Sequence, residues 1–499
     1  MKSRFAIAAL FCGAPALAAN CESLSGLKLT DGKITSATVV AAGAFTPPAG
    51  PGRGPAANAF HAVPEFCRVA ATLTPSSDSD IKVEVWLPVS GWNGKFQAVG
   101  NGGWAGTISY PAMAKAVQQG YATASTDTGH STPGAAFAMG HPEKLTDFGY
   151  RAVHEMTVQA KKIVTAFYSS SASRAYWNGC STGGRQGLME AQRYPDDYDG
   201  VIAGAPANYM SHLQVWSLWV PKAVHDTEAS YIPPAKYPLI HKAVIEACDA
   251  ADGVKDGVID DPRRCRFDPE SLKCNGEDTS GCLTSEQVTA VRKLYSGAIS
   301  PATGLKIFPG LQPGSEMGWG GLAGAQPMAI PVDTFKYVAY NDPNWDWKTI
   351  DFDAGVSMLE KKFAEGMDAV NPDLRPFFRH GGKLLMYHGW NDQLIAPENS
   401  IDYFSTALYT MGISAATDAM RLYMVPGMTH CAGGDGTSNF EMIPELENWV
   451  EKGRAPNRII ASHANPARTR PLCPYPQVAV YKGSGSSDDA ANFSCALRP

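Results

Sequence analysis

Residues 176–187 read Tyr-Trp-Asn-Gly-Cys-Ser-Thr-Gly-Gly-Arg-Gln-Gly, and this stretch limits the possible folds more than any other. Ser181 has Gly179 and Gly183 two residues away on either side, an aromatic pair before it and a run able to start a helix after it. A serine on a tight strand-to-helix turn sits in strained backbone geometry. Its neighbours two residues off must be nearly side-chain-free for the turn to close. The G-x-S-x-G spacing therefore predicts a strand leading to the serine, a helix just after it, and a hydroxyl held out at the end of a sheet. In a chain with 49 glycines an ordinary turn can match the same pattern, so its weight depends on what accompanies it.

The flanking sequence supplies the sheet. Residues 81–87 alternate apolar and polar as a half-buried strand does, and 96–99 and 121–125 read as two further strands. Residues 148–168 have helical spacing and lead into a strand at 174–177, and 201–205 is apolar enough for a buried strand. The rhythm is lost from 206 to 380, a region rich in turns, with four cysteines and clustered aromatics: Trp216, Trp219, Trp319, Phe335, Tyr337, Trp345 and Trp347. It resumes with strands at 383–387 and 421–425, an amphipathic helix at 440–450 with Pro444 in its first turn, and an edge strand at 458–461. Strands alternating with helices imply a mostly parallel sheet covered on both faces. The expected organisation is a catalytic α/β domain formed by 20–205 and 381–499, interrupted by a lid at 206–380. Residues 20–65, rich in Gly, Ala and Pro, read as an irregular wrap.

Residues 1–19 have the form of a secretory signal peptide. Lys2 and Arg4 precede a short apolar stretch from Phe5 to Phe11, and Ala16-Leu17-Ala18 offers a cleavage site. No segment offers the roughly 20 uninterrupted apolar residues that span a bilayer. Eleven cysteines, with Cys12 in the leader, leave an even ten for the mature chain, which in an exported protein argues for disulfides. Sequence alone leaves their pairing open. The short separations Cys274/Cys282 and Cys248/Cys265 suggest local staples, and Cys21 with Cys67 could pin the N-terminal wrap. No C-x-x-C pair supports a zinc site. The formal charge of −6, without a basic run, disfavours nucleic acid or an anionic membrane as partner.

An elbow serine needs a base and an acid to orient that base. Asp392 follows the strand at 383–387 within His-Gly-Trp-Asn-Asp, and His430 follows the strand at 421–425 within Pro-Gly-Met-Thr-His-Cys. The order Ser, Asp, His, each in a loop after a strand, is that of α/β-hydrolases. Cys180 immediately precedes Ser181 and Cys431 immediately follows His430. A disulfide between them would hold their Cα atoms about 5.5 Å apart and bring serine and histidine within side-chain reach. The oxyanion calls for the N–H of Thr182 and one from Gly102 or Gly103, in the Gly-rich loop after an early strand. Asp249, Asp252 and Asp256 lie three and four residues apart among glycines, hard oxygen ligands on a turning loop that suits calcium as well as it suits a solvated acidic turn.

Together these segments resemble the tannase/feruloyl esterase family of secreted α/β-hydrolases, which includes mono(2-hydroxyethyl) terephthalate hydrolases. The resemblance rests on residues 179–187, 100–106, 388–392, 430–431 and 249–258, and extends over nearly the whole mature chain. It implies an α/β-hydrolase fold with a large inserted lid, and Ser181, Asp392 and His430 as triad, bridged by Cys180–Cys431. It implies the further disulfides Cys21–Cys67, Cys248–Cys265, Cys274–Cys282 and Cys473–Cys495. It also implies a structural calcium (Ca2+) in the lid, on Asp249, Asp252, Asp256 and the carbonyls of Val254 and Val258. His388 matches a position that lines the substrate pocket in terephthalate-type relatives. The resulting expectation is a secreted or periplasmic serine esterase acting on a small aromatic ester, free or attached to polysaccharide, with feruloyl groups the foremost case. Tannase and terephthalate-monoester hydrolase are the alternatives in chemistry, a serine peptidase is a rival, and an inactive hydrolase-like binding protein is the alternative in class. The lid aromatics suggest an aromatic acyl group.

Overall fold

A computed structural model describes residues 20–48, 60–364 and 366–498. The expected signal peptide at 1–19 lies outside the described residues. Nine strands form one sheet: β1 (Gly32–Val40), β2 (Phe66–Leu73), β3 (Ile81–Pro88), β4 (Lys95–Val99), β5 (Ala122–Thr126), β6 (Arg174–Cys180), β7 (Gly200–Gly204), β8 (Lys383–Gly389) and β9 (Met420–Val425). Their spatial order is β1-β2-β3-β5-β4-β6-β7-β8-β9. β1, β2, β3 and β5 pair antiparallel, and β5 through β9 run parallel across β4, β6, β7 and β8.

Helices cover both faces. On one, α2 (Ala152–Tyr168), α3 (Thr182–Arg193) and α8 (Glu398–Met411) bury Met156, Ile163, Leu188 and Phe404 against the sheet. On the other, α1 (Tyr110–Gln118) and α9 (Ile443–Lys452) bury Met113, Leu446 and Trp449. Central strands are apolar on both faces because both are covered: every residue of β5 and β7 is buried.

Between β7 and β8 the chain builds a second core on α4 (Met210–Val224), α5 (Tyr237–Cys248), α6 (Ser285–Ser296) and α7 (Phe352–Phe363). Trp216, Trp319 and Phe335 are fully buried there. Two separate ribbons, β10 (Ile459–Ala464) with β11 (Ala467–Leu472) and β12 (Val478–Tyr481) with β13 (Phe493–Ala496), end the chain.

Two expectations are corrected. The N-terminal wrap is partly regular: β1 is the sheet's edge strand, and with one face exposed it needs few large apolar residues. The strand expected near 458–461 is no edge of this sheet: β10 forms a separate ribbon with β11 and a single bridge from Ser462 to Asn439. Among the described residues no helix is long and apolar enough to cross a membrane.

Candidate active site

Strand register places the site. Cys180 of β6 pairs with Gly204 of β7, Gly204 with Tyr387 of β8, and Tyr387 with Tyr423 of β9. From that single row across the sheet, Ser181 is the next residue, Asp392 lies in the loop after β8 and His430 in the loop after β9. All three leave the sheet at the C-terminal edge of its parallel strands, where loops can converge on one crevice.

Ser181 joins β6 to α3 with φ +63° and ψ −124°, a strained conformation for a residue with a side chain. Gly179 cannot carry a Cβ here, because one would stand 2.4 Å from the carbonyl oxygen of Gly183. The Trp177 indole N–H donates to that same carbonyl (2.9 Å), so the turn is fastened from the strand side.

Asp392 is fully buried. Its Oδ1 accepts the backbone N–H of Leu394 (2.8 Å) and Ile395 (3.0 Å), and its Oδ2 accepts His430 Nδ1–H at 2.7 Å. Burial alone would raise its pKa, but the facing His430 and the hydrogen bonds from His388 and His430 outweigh it and hold the carboxyl well below the usual carboxylate range. For His430, burial pulls the pKa down while the Asp392 charge and hydrogen bond raise it, and the net direction is upward. With Nδ1 committed to Asp392, Nε2 is the nitrogen left for proton exchange with a nucleophile. The His430 backbone N–H donates to Gln393 Oε1 (3.2 Å), steadying the loop.

The disulfide Cys180–Cys431 is formed, with Cα atoms 6.0 Å apart, and Cys431 itself has φ +65°. Cys21–Cys67, Cys248–Cys265, Cys274–Cys282 and Cys473–Cys495 are also formed. Ser181, Thr182, Gly102, Gly103 and His430 line one pocket of about 410 Å³. Thr182 is the first residue of α3, so its N–H has no acceptor within the helix. Its hydroxyl donates to the Gly103 carbonyl (2.8 Å), joining the two loops expected to hold an oxyanion. Gln186 bonds both the N–H and the side chain of Asn101 (each 3.1 Å), which fixes the glycine loop from below.

Two expectations change at the pocket. His388 does not line it. Its side chain has no exposure, Nε2–H donates to Asp392 Oδ2 and to the Ile395 carbonyl (each 3.0 Å), and Nδ1 accepts from the Ser400 hydroxyl (2.7 Å). Standing four residues before Asp392, it can reach the carboxylate from the strand end, a relation the sequence spacing contained. The lid aromatics do not line the pocket either. They form the lid core, and the pocket walls are aliphatic and thioether groups such as Met210, Leu213, Met328, Ile330 and Ile395. Large rings need the deepest burial, and the lid's own core provides it.

The acidic loop forms a separate site. Asp252, Val254, Asp256 and Val258 line a pocket of about 20 Å³, room for a single ion or water, and Asp260 joins them. Asp249 is not in its wall; its Oδ1 accepts the N–H groups of Asp256 and Gly257 (each 3.0 Å). Burial pushes Asp252 up to about 6 and Asp260 up to about 7. Asp260 Oδ2 accepts no hydrogen bond, although Arg498 Nη1 is 3.2 Å away. Arg468 and Arg470 of β11 reach Asp256 Oδ2. Both arginines line the pocket, as do Ala479, Phe493 and, at the base of the His430 loop, Pro426, Gly436 and Thr437.

Residues 67–496 match the protein family described as tannase and feruloyl esterase. An uncharacterized esterase of Xanthomonas campestris is 38% identical, with 100% of this chain and 95% of that protein covered. A probable feruloyl esterase B-2 of Aspergillus terreus is 37% identical over 87% of this chain and 86% of its own length. The crystal structure of feruloyl esterase B from Aspergillus oryzae superposes with a TM-score of 0.89 at 33% identity, covering 95% of this chain and 99% of that one. The tannin acyl hydrolase of Aspergillus niger, at 22% identity and a TM-score of 0.79, shares the fold.

Proposed function

The chain belongs to the tannase and feruloyl esterase family and is a carboxylic-ester hydrolase; from that premise we propose that it is exported and cleaves esters of aromatic acids, feruloyl-type esters foremost, through an acyl-enzyme on Ser181. The carrying observation is one pocket shared by a strained Ser181 and by His430, whose Nδ1 is 2.7 Å from a buried Asp392. Ser181 Oγ attacks the ester carbonyl while His430 Nε2 takes its proton. Asp392 keeps the imidazole oriented and stabilises its charged form. The oxyanion is held by the N–H of Thr182 and of Gly102 or Gly103. His430 then protonates the leaving alcohol and activates the water that frees Ser181.

The apolar walls favour a ring-bearing acyl group over a charged one. A terephthalate monoester carries a free carboxylate at the far end of its ring, and among the described residues no Lys or Arg lines the pocket to meet it. Five disulfides support an oxidising compartment, hence export. The acidic loop fits calcium through its hard oxygen donors and its under-satisfied Asp260. Asp252 and Asp256 with the carbonyls of Val254 and Val258 would hold the ion, which would supply structural charge compensation there and no part of the ester chemistry.

The test is catalytic efficiency on methyl ferulate, a galloyl ester, a terephthalate monoester and a short aliphatic ester, with Ser181→Ala as control. A preference for methyl ferulate, abolished in the variant, is expected. Turnover that survives in Ser181→Ala would reject the triad, a preference for the terephthalate monoester would reject the feruloyl preference, and a preference for the short aliphatic ester would reject the aromatic class.

A further inference from the structure

Behind the catalytic residues the pocket runs along one face of α4. The Ala207 N–H donates to the Ser181 carbonyl (3.1 Å), so α4 starts beside the nucleophile and leads away from it. Met210, Leu213, Gln214 and Ser217 all line the pocket, and their spacing of three, four and seven residues puts them on a single stripe. At 1.5 Å of rise per residue, Ser217 lies about 10 Å along the axis from Met210.

The first part of that stripe is apolar and its far part is polar. Gln214 is 3% exposed and Ser217 is 5% exposed. One end of the Gln214 carboxamide meets Thr334, whose hydroxyl accepts Trp104 Nε1–H (3.2 Å), lies 2.8 Å from the Ile330 carbonyl and stands 3.2 Å from Gln214 Oε1. Among the described residues its Nε2 meets only the Met210 thioether at 3.4 Å, a weak acceptor. Among the described residues no hydrogen bond of the Ser217 hydroxyl is formed, and the side chain lines the pocket. A pocket-lining hydroxyl and an amide N–H that meets only a weak sulfur acceptor favour a ligand that brings its own polar atom. Both groups are neutral, and both can serve a hydroxyl as donor or acceptor. A carboxylate would find no charge there.

We propose that Gln214 and Ser217 set specificity by binding a phenolic hydroxyl on the ring of the acyl group, so that the preferred acyl unit is long, flat and hydroxylated at the end remote from the ester. The inference rests on the assignment of Ser181 as the nucleophile of an aromatic-ester hydrolase. Met210 and Leu213 pack against the body of the acyl group, and the two polar side chains meet its hydroxyl. A short acyl group occupies only the apolar part of the stripe.

The experiment compares methyl 4-hydroxycinnamate with methyl cinnamate, which lacks the hydroxyl, on the wild-type protein, Ser217→Ala and Gln214→Met. The readout is the ratio of kcat/KM between the two esters, alongside the thermal transition of each variant. The wild-type should prefer the hydroxylated ester, and each substitution should lower that ratio by about tenfold, the value of one lost hydrogen bond to a buried partner. A loss shared equally by both esters would mark the residues as structural and overturn the proposal, as would a wild-type ratio near one. If the wild-type cleaves neither ester, the assignment of an aromatic substrate fails and this inference fails with it. If both are cleaved with a ratio that neither substitution alters, only the inference fails. Ser217→Ala removes one atom from a helix interior, so its transition should stay near the wild-type value. Gln214→Met keeps the chain length and gives a second, independent reading of the ratio.

Discussion

Removing the Cys180–Cys431 disulfide should lower stability and, well below the melting temperature, catalysis too. Its residues are separated by 251 positions. A cross-link closing a loop of that size restricts the unfolded chain by about 5.5 kcal/mol. The smaller disulfides inside the loop, with separations of 17 and 8, shorten it little and change this by about 0.1 kcal/mol. Unfolding entropy for a chain of this length is roughly 1 kcal/mol per degree, so the loss corresponds to about 5 °C in Tm. The local consequence is different. Ser181 and Cys431 both hold positive φ, each at a cost of about 1–3 kcal/mol. Their combined strain is comparable to the constraint the disulfide imposes. Without the bridge, the loop carrying His430 can relax toward ordinary backbone geometry, and a displacement of about 1 Å at a catalytic group is enough for a loss near a hundredfold.

The expected outcome for Cys180→Ala/Cys431→Ala is therefore a fall of about a hundredfold in kcat/KM on methyl ferulate at a temperature well below Tm. The control is Cys274→Ala/Cys282→Ala. That loop has a separation of 8, so its removal should cost about 2.5 kcal/mol with no comparable loss of activity. Both variants are measured by initial-rate kinetics and thermal denaturation. If the Cys180/Cys431 variant keeps kcat/KM within twofold of wild-type, or if the control loses as much activity, the bridge is not what positions His430.

The remaining predictions concern the groups around the triad. kcat/KM requires neutral His430, so its acid limb should lie above the ordinary histidine value of about 6.5. Asp392→Asn removes the carboxylate that raises it, so the limb should move to lower pH while kcat falls roughly 10⁴-fold; a limb that stays in place would reject the assignment. His388→Gln should lower kcat about tenfold and leave KM within twofold, because His388 touches Asp392 and not the pocket. A change confined to KM would instead return His388 to substrate binding. Calcium at a hundredfold excess over its Kd should stabilise the protein by about 2.7 kcal/mol, lost on chelation and read as a Tm shift of a few degrees. Metal analysis that finds no calcium before or after chelation would reject the site.

Much of this site was legible because its residues are local to strand ends. A serine between glycines, and an aspartate and a histidine each a few residues past an apolar run, carry their own structural context. The paired Cys-Ser and His-Cys added a long-range constraint that short motifs lack. What sequence could not yield was the direction in which side chains face once the lid closes over the sheet. His388 sits beside the acid in sequence, and only the return of the loop through Ile395 and α8 decides that it faces inward. The lid tryptophans were poor guides to the pocket for a related reason. A separate core of this size must bury its largest rings, and Trp216 on α4 does so while Ser217, one residue on, belongs to the opposite environment.

That arrangement divides the labour of the fold. In the proposed reading the sheet fixes the reacting groups through one row of register-matched residues, and the inserted region supplies what meets the acyl group, through α4 and the segment near Ile330. The insertion is nevertheless more than a cover. Val258 of its acidic loop packs so near Gly427 that a Cβ there would stand 3.0 Å from Val258 Cγ1. Gly427 begins the loop that presents His430, and Pro426 and Gly436 at its base share the acidic pocket. Loosening the acidic loop should thus reach His430 through packing even though no carboxylate of that loop belongs to the triad. The same chelation experiment tests it: kcat should decline at temperatures where the sheet remains folded. Full activity up to the onset of global unfolding would show that the two loops touch without being coupled.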